Sequence, residues 1–292
     1  MCAGRIAARV REEIKKIVRV GVSLIDICET AENMIRELGG SPAFPCNVSV
    51  NEVAAHYTSP PNDTLVVSEG SLVKIDIGVH IDGYITDTAI TVCFNPEYEN
   101  MVYASEKALE AAIKVIKPGI MVSRVSSEIQ AVIERYGFKP IYNLSGHEVG
   151  RYLVHTGKSI PNVLHHSIER IRLGGVYAIE PFVTLKEAAG KVEESSEKYI
   201  FRLIKVKGPL KSAEARALLK IIENKFKTLP FALRWLSKIH VENETYRRAF
   251  LELLSSKCLM AYPVFIEASR RPVAQTEHTV FVGEKDIIVL TA

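Results

Sequence analysis

Apolar residues recur at three- and four-residue spacing over residues 4–18 and again over 22–38. That spacing predicts two amphipathic helices. Gly21 separates them, and Gly39-Gly40 ends the second. From about residue 43 to 93 the period drops towards two, which predicts strands. Helical spacing returns over 102–116 and 121–136, and short strands follow to about 185. Shifting the chain by 98 residues lays Gly21 on Gly119, Ile35 on Ile133, Gly39 on Gly137 and Pro42 on Pro140. Each half then reads helix, Gly turn, helix, Gly, Pro, strand. Such a repeat implies two related α+β halves, and a cleft between related halves is a natural place for a site.

Residues 198–258 break this order. Ala215, Leu218, Ile222 and Phe226 mark an amphipathic helix, Pro230 ends it, and a further helix fits 243–256. Strand-like sequence resumes at "YPVFIEA" and "HTVFVGEKDIIVLT". The expected organisation is therefore a main domain, 1–190 and 260–292, interrupted by a helical insertion, 191–259.

The stretch "KIDIGVHIDGYITDTAITV", residues 74–92, carries a conflict. It reads as a hairpin turning at Asp82-Gly83. Val73, Ile75, Ile77 and Val79 point one way, and Asp76 points the other with Lys74 and Gly78. A four-residue loop over 80–83 places Asp76 opposite Asp87, and a two-residue loop shifts the register. Both alternatives leave the two aspartates on one face. Facing like charges destabilise a sheet unless a proton, a basic group or a cation lies between them.

Composition narrows the choice. The chain has 292 residues, of which 47% are hydrophobic and 24% charged, enough for a sizeable core. No apolar run reaches the length of a membrane-spanning helix, and charges occupy the N-terminal stretch where a signal peptide needs an apolar core. A cytoplasmic, monomeric protein is expected. The five cysteines are scattered, which argues against a zinc ribbon or a disulfide framework. The net charge of +3 hides an asymmetry: Lys198 to Lys238 carries eleven basic residues against Glu214 and Glu223. That stretch, with Lys220, Lys225, Lys227 and Arg234 in or beside the amphipathic helix, reads either as a solvated face or as a contact with ribosomal RNA.

Three further segments supply donors that suit a cation. "SGHEVGRYLVH" offers His147 and His155, "AIEPF" ends an apolar run at Glu180, and "AQTEHTVFV" opens a strand at Glu277. Four carboxylates and an imidazole form a hard, oxygen-rich set that suits Mn, Fe, Co or Zn, and two ions rather than one because carboxylates bridge. Singly, each acid has an ordinary reading as a cap or a solvated side chain. His165, His166 and His240 read as surface residues, and His278, next to Glu277 on a strand, points to the opposite face.

Together, "GGSPAFPCNVSVNEVAAHYTSP", "KIDIGVHIDGYITDTA", "NLSGHEVGRYLVH", "IPN", "YAIEPF" and "AQTEHT" resemble the methionine aminopeptidases of type 2, in the order in which that family carries them. The resemblance runs over nearly the whole chain and fits an archaeal-like member. It implies a pita-bread fold with pseudo-two-fold halves and the helical insertion of type 2. It implies two divalent ions, with Asp76 on one, His147 and Glu180 on the other, and Asp87 and Glu277 bridging. It implies removal of methionine from the N-termini of nascent polypeptides by a hydroxide bridging the two ions, with a small second residue preferred. Glu180 would carry the proton, and His56 and His155 would face the scissile amide or the tetrahedral intermediate. Phe44, beside Pro45, would form the methionine pocket, with Tyr262 near its mouth. Residues 185–198 match no motif of the family. Two competing readings are a prolidase-like enzyme, which usually carries a separate N-terminal domain, and a metal-free binding module of the same fold.

Overall fold

The computed structural model describes residues 1–204, 210–237 and 244–292. His240 and the lysines at 205, 207 and 238 lie outside the described residues. Seven helices are described: α1 (Cys2–Ile17), α2 (Leu24–Glu37), α3 (Glu99–Val115), α4 (Val122–Arg135), α5 (Ala213–Phe226), α6 (Leu233–Ser237) and α7 (Glu244–Ser255).

The 98-residue repeat is visible in the backbone. Gly21 and Gly119 take φ of +88° and +80°, a left-handed conformation in which a side chain is strained. The N–H of Gly21 donates to Val67 at 2.8 Å, and that of Gly119 donates to Ile171 at 2.9 Å. Downstream, Leu24 donates to Leu65 and Val122 to Glu169, each at 2.9 Å. Ser41–Pro42 pairs with Val79 and His80, and Lys139–Pro140 pairs with Val183 and Thr184. Each half thus packs a helix pair on its own strands. One core joins Ala7, Val10, Ile14, Ile27 and Ile35 to Ile75, Ile77 and Val79. The other joins Met101, Leu109, Ile129 and Ile133 to Tyr177, Ile179 and Val183. This is the pita-bread arrangement.

In the first half, Leu72–Ile81 and Tyr84–Cys93 form an antiparallel hairpin. Ile81 pairs with Tyr84, so the turn has two residues. Asp82 and Gly83 take φ of +50° and +84°, as the tight hairpin turn demands. Asp87 therefore lies opposite Gly78, and Asp76 opposite Ala89. The four-residue loop is ruled out, and the aspartates are diagonal neighbours on one face.

In the second half, Ser145–Glu148 and Val176–Ile179 pair at the centre of a five-stranded sheet, flanked by Ser159–Pro161 on one side and by His278–Val282 and Ile287–Val289 on the other. A third sheet orders Phe231–Ala232, Val192–Leu203, Leu259–Glu267 and Val53–Ala55. Residues 192–203, which fall in the segment expected as helical insertion, are thus a long strand continuous with the main domain. The helical part has a core of its own, built from Leu218, Ile222, Phe226, Phe231, Phe250 and Leu253. A further cluster joins Ala43, Phe44 and Ile85 of the first half, Val149 and Val154 of the second, and Leu229 of the insertion. No described helix is long and apolar enough to cross a membrane.

Candidate metal centre and substrate cleft

Five elements converge on one cavity. Asp76 and Asp87 reach it from the hairpin, His147 from the strand Ser145–Glu148, and Glu180 from the residue after Val176–Ile179. Glu277 reaches it from the residue before His278–Val282. The tightest group is Asp87, His147 and Glu277, whose donor atoms all lie within 4.8 Å of one another. His147 Nε2 stands 3.7 Å from Asp87 Oδ2 and 3.8 Å from Glu180 Oε1. These separations exceed a hydrogen bond. Asp87, His147 and Glu277 are buried, at 3%, 5% and 1% exposure, and that much burial makes lone charges expensive.

The polar atoms there lack partners. Asp76 Oδ1, Asp87 Oδ1 and both carboxylate oxygens of Glu277 make no hydrogen bond within the protein. Burial pushes the Asp76 carboxyl up to about 7, against the neighbouring Asp87 carboxyl and the Asn47 amide, which pull it down. Asp87 lies well above the usual carboxylate range, through burial and then the charges of Asp76 and Glu180. Glu180 and Glu277 are raised for the same reasons. Burial, and then His155, push the His147 imidazole down, so it is neutral. Unpartnered oxygens, mutually repelling carboxyls and a neutral imidazole fit divalent cations, which would satisfy all three at once.

The neighbouring side chains orient this set. Asn47 Nδ2 donates to Asp76 Oδ2 at 3.4 Å, and Gln275 Nε2 donates to Glu180 Oε2 at 3.3 Å. Neither was singled out in the sequence, although both lie in the family-like blocks "PCNVSVN" and "AQTEHT". The Asp87 N–H donates to Thr279 Oγ1, whose hydroxyl donates back to the Asp87 carbonyl, each at 2.7 Å.

His56 and His155 line the same cavity. The ring of His155 lies 4.2 Å from that of His147. His56 takes φ of +66°, and its ring packs on Phe265 at 4.7 Å and Tyr262 at 5.5 Å. Both imidazoles are pushed down to about 4: His56 by burial and then His155, and His155 by burial and then Arg202. His56 Nδ1 lies 3.2 Å from the Pro263 carbonyl, which can only accept. A neutral His56 with its proton on Nδ1 leaves Nε2 as an acceptor.

Phe44 and Tyr262 line the cavity, joined by Ala55, Val154, Ile200 and Pro230. Pro45 does not line it. A Cβ on Gly78 would overlap the Phe44 ring, so the glycine opposite Asp87 lets that ring sit against the hairpin. Ile200 and Pro230 come from the stretch 198–258 that breaks the order of the two halves, and only the long strand and its partner segment bring them in. A second cavity continues past His56, His147, His155 and Glu180 towards Asn143, Lys158 and Ser159. Arg234, grouped with the basic face from the sequence, is instead buried at 3% exposure and paired with Glu32. Lys220, Lys225 and Lys227 are exposed, although Lys227 Nζ rests 3.9 Å from the centre of the Tyr152 ring. His278 points away from the cavity and lies 3.1 Å from Arg11 and 2.9 Å from Thr291.

The family model described as metallopeptidase family M24 matches residues 1–246. The chain belongs to metallopeptidase family M24. A methionine aminopeptidase of Methanocaldococcus jannaschii is 45% identical over 289 residues, covering 99% of this chain and 96% of that protein. Among solved structures, a thermophilic Arx1 superposes with a TM-score of 0.84 at 20% identity, covering 99% of this chain and 88% of that one. A methionine aminopeptidase of Thermotoga maritima superposes with a TM-score of 0.70 at 24% identity, covering 99% and 94%. The two structural likenesses establish the M24 fold alone. The carboxylates and His147 line a single cleft in that fold, as a metallopeptidase requires.

Proposed function

We propose that the protein is a metal-dependent aminopeptidase that removes methionine from the N-termini of nascent polypeptides and peptides. The observation that carries this reading is the single cavity in which unpartnered, buried carboxylate oxygens face an apolar wall. Asp76, Asp87, His147, Glu180 and Glu277 would hold two divalent ions from the Co, Mn, Fe and Zn group. Bound there, such ions supply Lewis acidity and a water that ionises near neutral pH.

The remaining steps belong to the chain's own side chains. Glu180, with its carboxyl raised by burial, takes a proton and returns it to the leaving amine. Neutral His56 accepts from the substrate backbone N–H through Nε2 and fixes the scissile bond in the cleft. Neutral His155, which lines the same cavity, is the partner for the carbonyl oxygen. Phe44, Tyr262, Ile200 and Pro230 take the methionine side chain. A pocket of fixed depth for the methionine side chain would favour a small second residue. The type 2 subtype is supported by a helical segment with its own core, within the unit 191–259, that borders the cleft.

A ribosome contact remains the use proposed for the exposed Lys220 and Lys225, with Arg234 withdrawn from it. The Lys220→Glu/Lys225→Glu variant should then lose cosedimentation with ribosomes at low salt, and unchanged cosedimentation would refute the contact.

The enzymatic reading is tested by hydrolysis of Met-Ala-Ser and Ala-Pro-Ser by a monomeric preparation. Metal is stripped and Mn²⁺ or Co²⁺ restored, with Asp87→Asn as control. Metal-dependent release of methionine, lost in the variant, supports the reading. Cleavage only before proline would move the protein to the prolidase side. Cleavage of neither peptide would favour a binding module.

A further inference from the structure

The insertion is tied to the main domain by a buried polar cluster that the proposed reaction does not use. Glu32 of α2 is 2% exposed and accepts from three directions. Arg234 of α6 contacts it directly, Trp235 Nε1 donates at 2.6 Å, and the Cys46 N–H donates at 3.1 Å. Arg234 also donates to Thr58 Oγ1 at 2.6 Å and to the Ser59 carbonyl at 3.2 Å. The Thr58 hydroxyl in turn donates to the Cys46 carbonyl at 2.7 Å. Four separate chain segments therefore meet on one ion pair.

Three of those segments carry a cavity residue within a few positions of the cluster. Phe44 and Asn47 flank Cys46, His56 precedes Thr58 by two residues, and Pro230 lies just before α6. Between Pro230 and α6, Phe231–Ala232 pairs with Ile200 and Phe201, and Ile200 also lines the cavity. Leu229 packs with Phe44 and Val154. The substrate wall is thus assembled across a chain junction, and the ion pair sits behind that junction.

A buried ion pair contributes little net stability compared with a well-packed apolar substitute, and its best-attested use is to fix a register. We infer that Glu32, Arg234 and Trp235 form a positioning clamp that holds the insertion's 229–232 segment against Phe44 and His56, so that it sets the fit of the substrate's first side chain. These are positioning residues and touch no substrate. The consequence for substrate rests on the aminopeptidase reading above, whereas the clamp itself does not.

The test uses the full-length, metal-loaded protein and the variants Trp235→Phe and Glu32→Gln. Trp235→Phe keeps a ring and removes the Nε1–H donor. Glu32→Gln keeps size and acceptor and removes the charge. Hydrogen exchange of the wild type and variants is followed segment by segment, and methionine release from Met-Ala-Ser is measured in parallel. The clamp predicts that exchange quickens together in 43–47, 56–59 and 229–236, while the hairpin 72–93 stays protected. It also predicts KM rising about tenfold with kcat within about twofold and metal affinity unchanged, the signature of lost uniform binding. An Arg234→Lys variant should recover part of the rise that Arg234→Met shows, which loss of packing alone would not produce. Faster exchange confined to 229–236 would overturn the coupling, as would unchanged exchange in folded variants. A fall in kcat with weaker metal binding would equally overturn it. Absence of methionine release by the wild type would refute the aminopeptidase reading, and the exchange pattern would still decide the clamp.

Discussion

Ala89 and Glu277, 188 positions apart in the chain, exchange both backbone hydrogen bonds: Glu277 N–H to Ala89 O at 2.9 Å and Ala89 N–H to Glu277 O at 3.3 Å. This isolated bridge joins the hairpin of the first half to the strand that follows Glu277. Around it the Thr88 hydroxyl donates to the Glu277 carbonyl at 2.8 Å, and Arg11 donates to Thr88 Oγ1 at 2.9 Å. The carboxylates of Asp87 and Glu277 are therefore set by backbone and hydroxyl contacts, not by their own side-chain hydrogen bonds.

Thr279 is the most exposed weakness of that scaffold to a single change. Thr279→Val keeps the shape and strips both 2.7 Å bonds from the Asp87 backbone, which is buried. Leaving those groups unpaired should cost roughly 2–3 kcal/mol of stability. Metal affinity should drop about 10–100-fold, as it does when the outer partners of metal ligands are removed. Chemical denaturation and titration of stripped protein with Mn²⁺ measure the two effects separately.

Asp87→Asn should separate stability from function. In the metal-free protein at pH 8, Asp87 faces the charges of Asp76 and Glu180, so the amide removes repulsion. The stripped variant should be more stable than stripped wild type by on the order of 1–3 kcal/mol. Its gain in melting temperature on adding Mn²⁺ should be smaller, and methionine release should fall more than about 100-fold, beyond the loss typical of outer partners. Thermal melts with and without chelator give the signs directly, and a stripped variant less stable than stripped wild type would contradict the repulsion.

His56 gives a pH signature. Its imidazole is pushed down to about 4 in the folded protein, against an ordinary value of 6.5. As pH falls through 6.5 the unfolded chain binds the proton first, so stability is full above 6.5 and drains until about pH 4. The His56→Asn variant lacks this group, and Asn tolerates the φ of +66° found there. Stripped His56→Asn should therefore lose about 1–3 kcal/mol less than wild type between pH 6.5 and 4, a range trimmed for the part of the ring open to the cleft. Urea denaturation at both pH values decides it, and identical losses would place the ring in a solvated setting.

Much of this architecture was legible because it is periodic. The helix pairs and the 98-residue repeat follow from spacing, and Gly21 and Gly119 mark equivalent turns because the backbone there needs a positive φ. Side-chain alternation is the same for both turn lengths, so it does not decide the hairpin register. The Asp82-Gly83 pair itself favours the two-residue turn, as found. Arg234 was misplaced because its partner Glu32 lies 202 residues away, and a charge buried by a distant partner has the same local pattern as a solvated one. Ile200 and Pro230 were missed for a related reason. They reach the cleft through strand pairing between 200–201 and 231–232, which no local period encodes.

Gly78 tests the pocket wall without touching a proposed ligand. It lies opposite Asp87, and a side chain there would overlap the Phe44 ring. The ring is 5% exposed and packs with Ala43, Ile85, Val154 and Leu229, so it has little room to retreat except into the cavity. Gly78→Ala should cost about 1–3 kcal/mol through overpacking. It should also raise KM for Met-Ala-Ser well above any change in kcat, because the methionine side chain loses volume while the carboxylates keep their frame. A substrate beginning with a shorter apolar residue should lose less, since it needs less of the depth that Phe44 would fill. Equal losses for the long and the short side chain would show that the displaced ring disturbs the carboxylates instead of the pocket, and would take Phe44 out of substrate recognition.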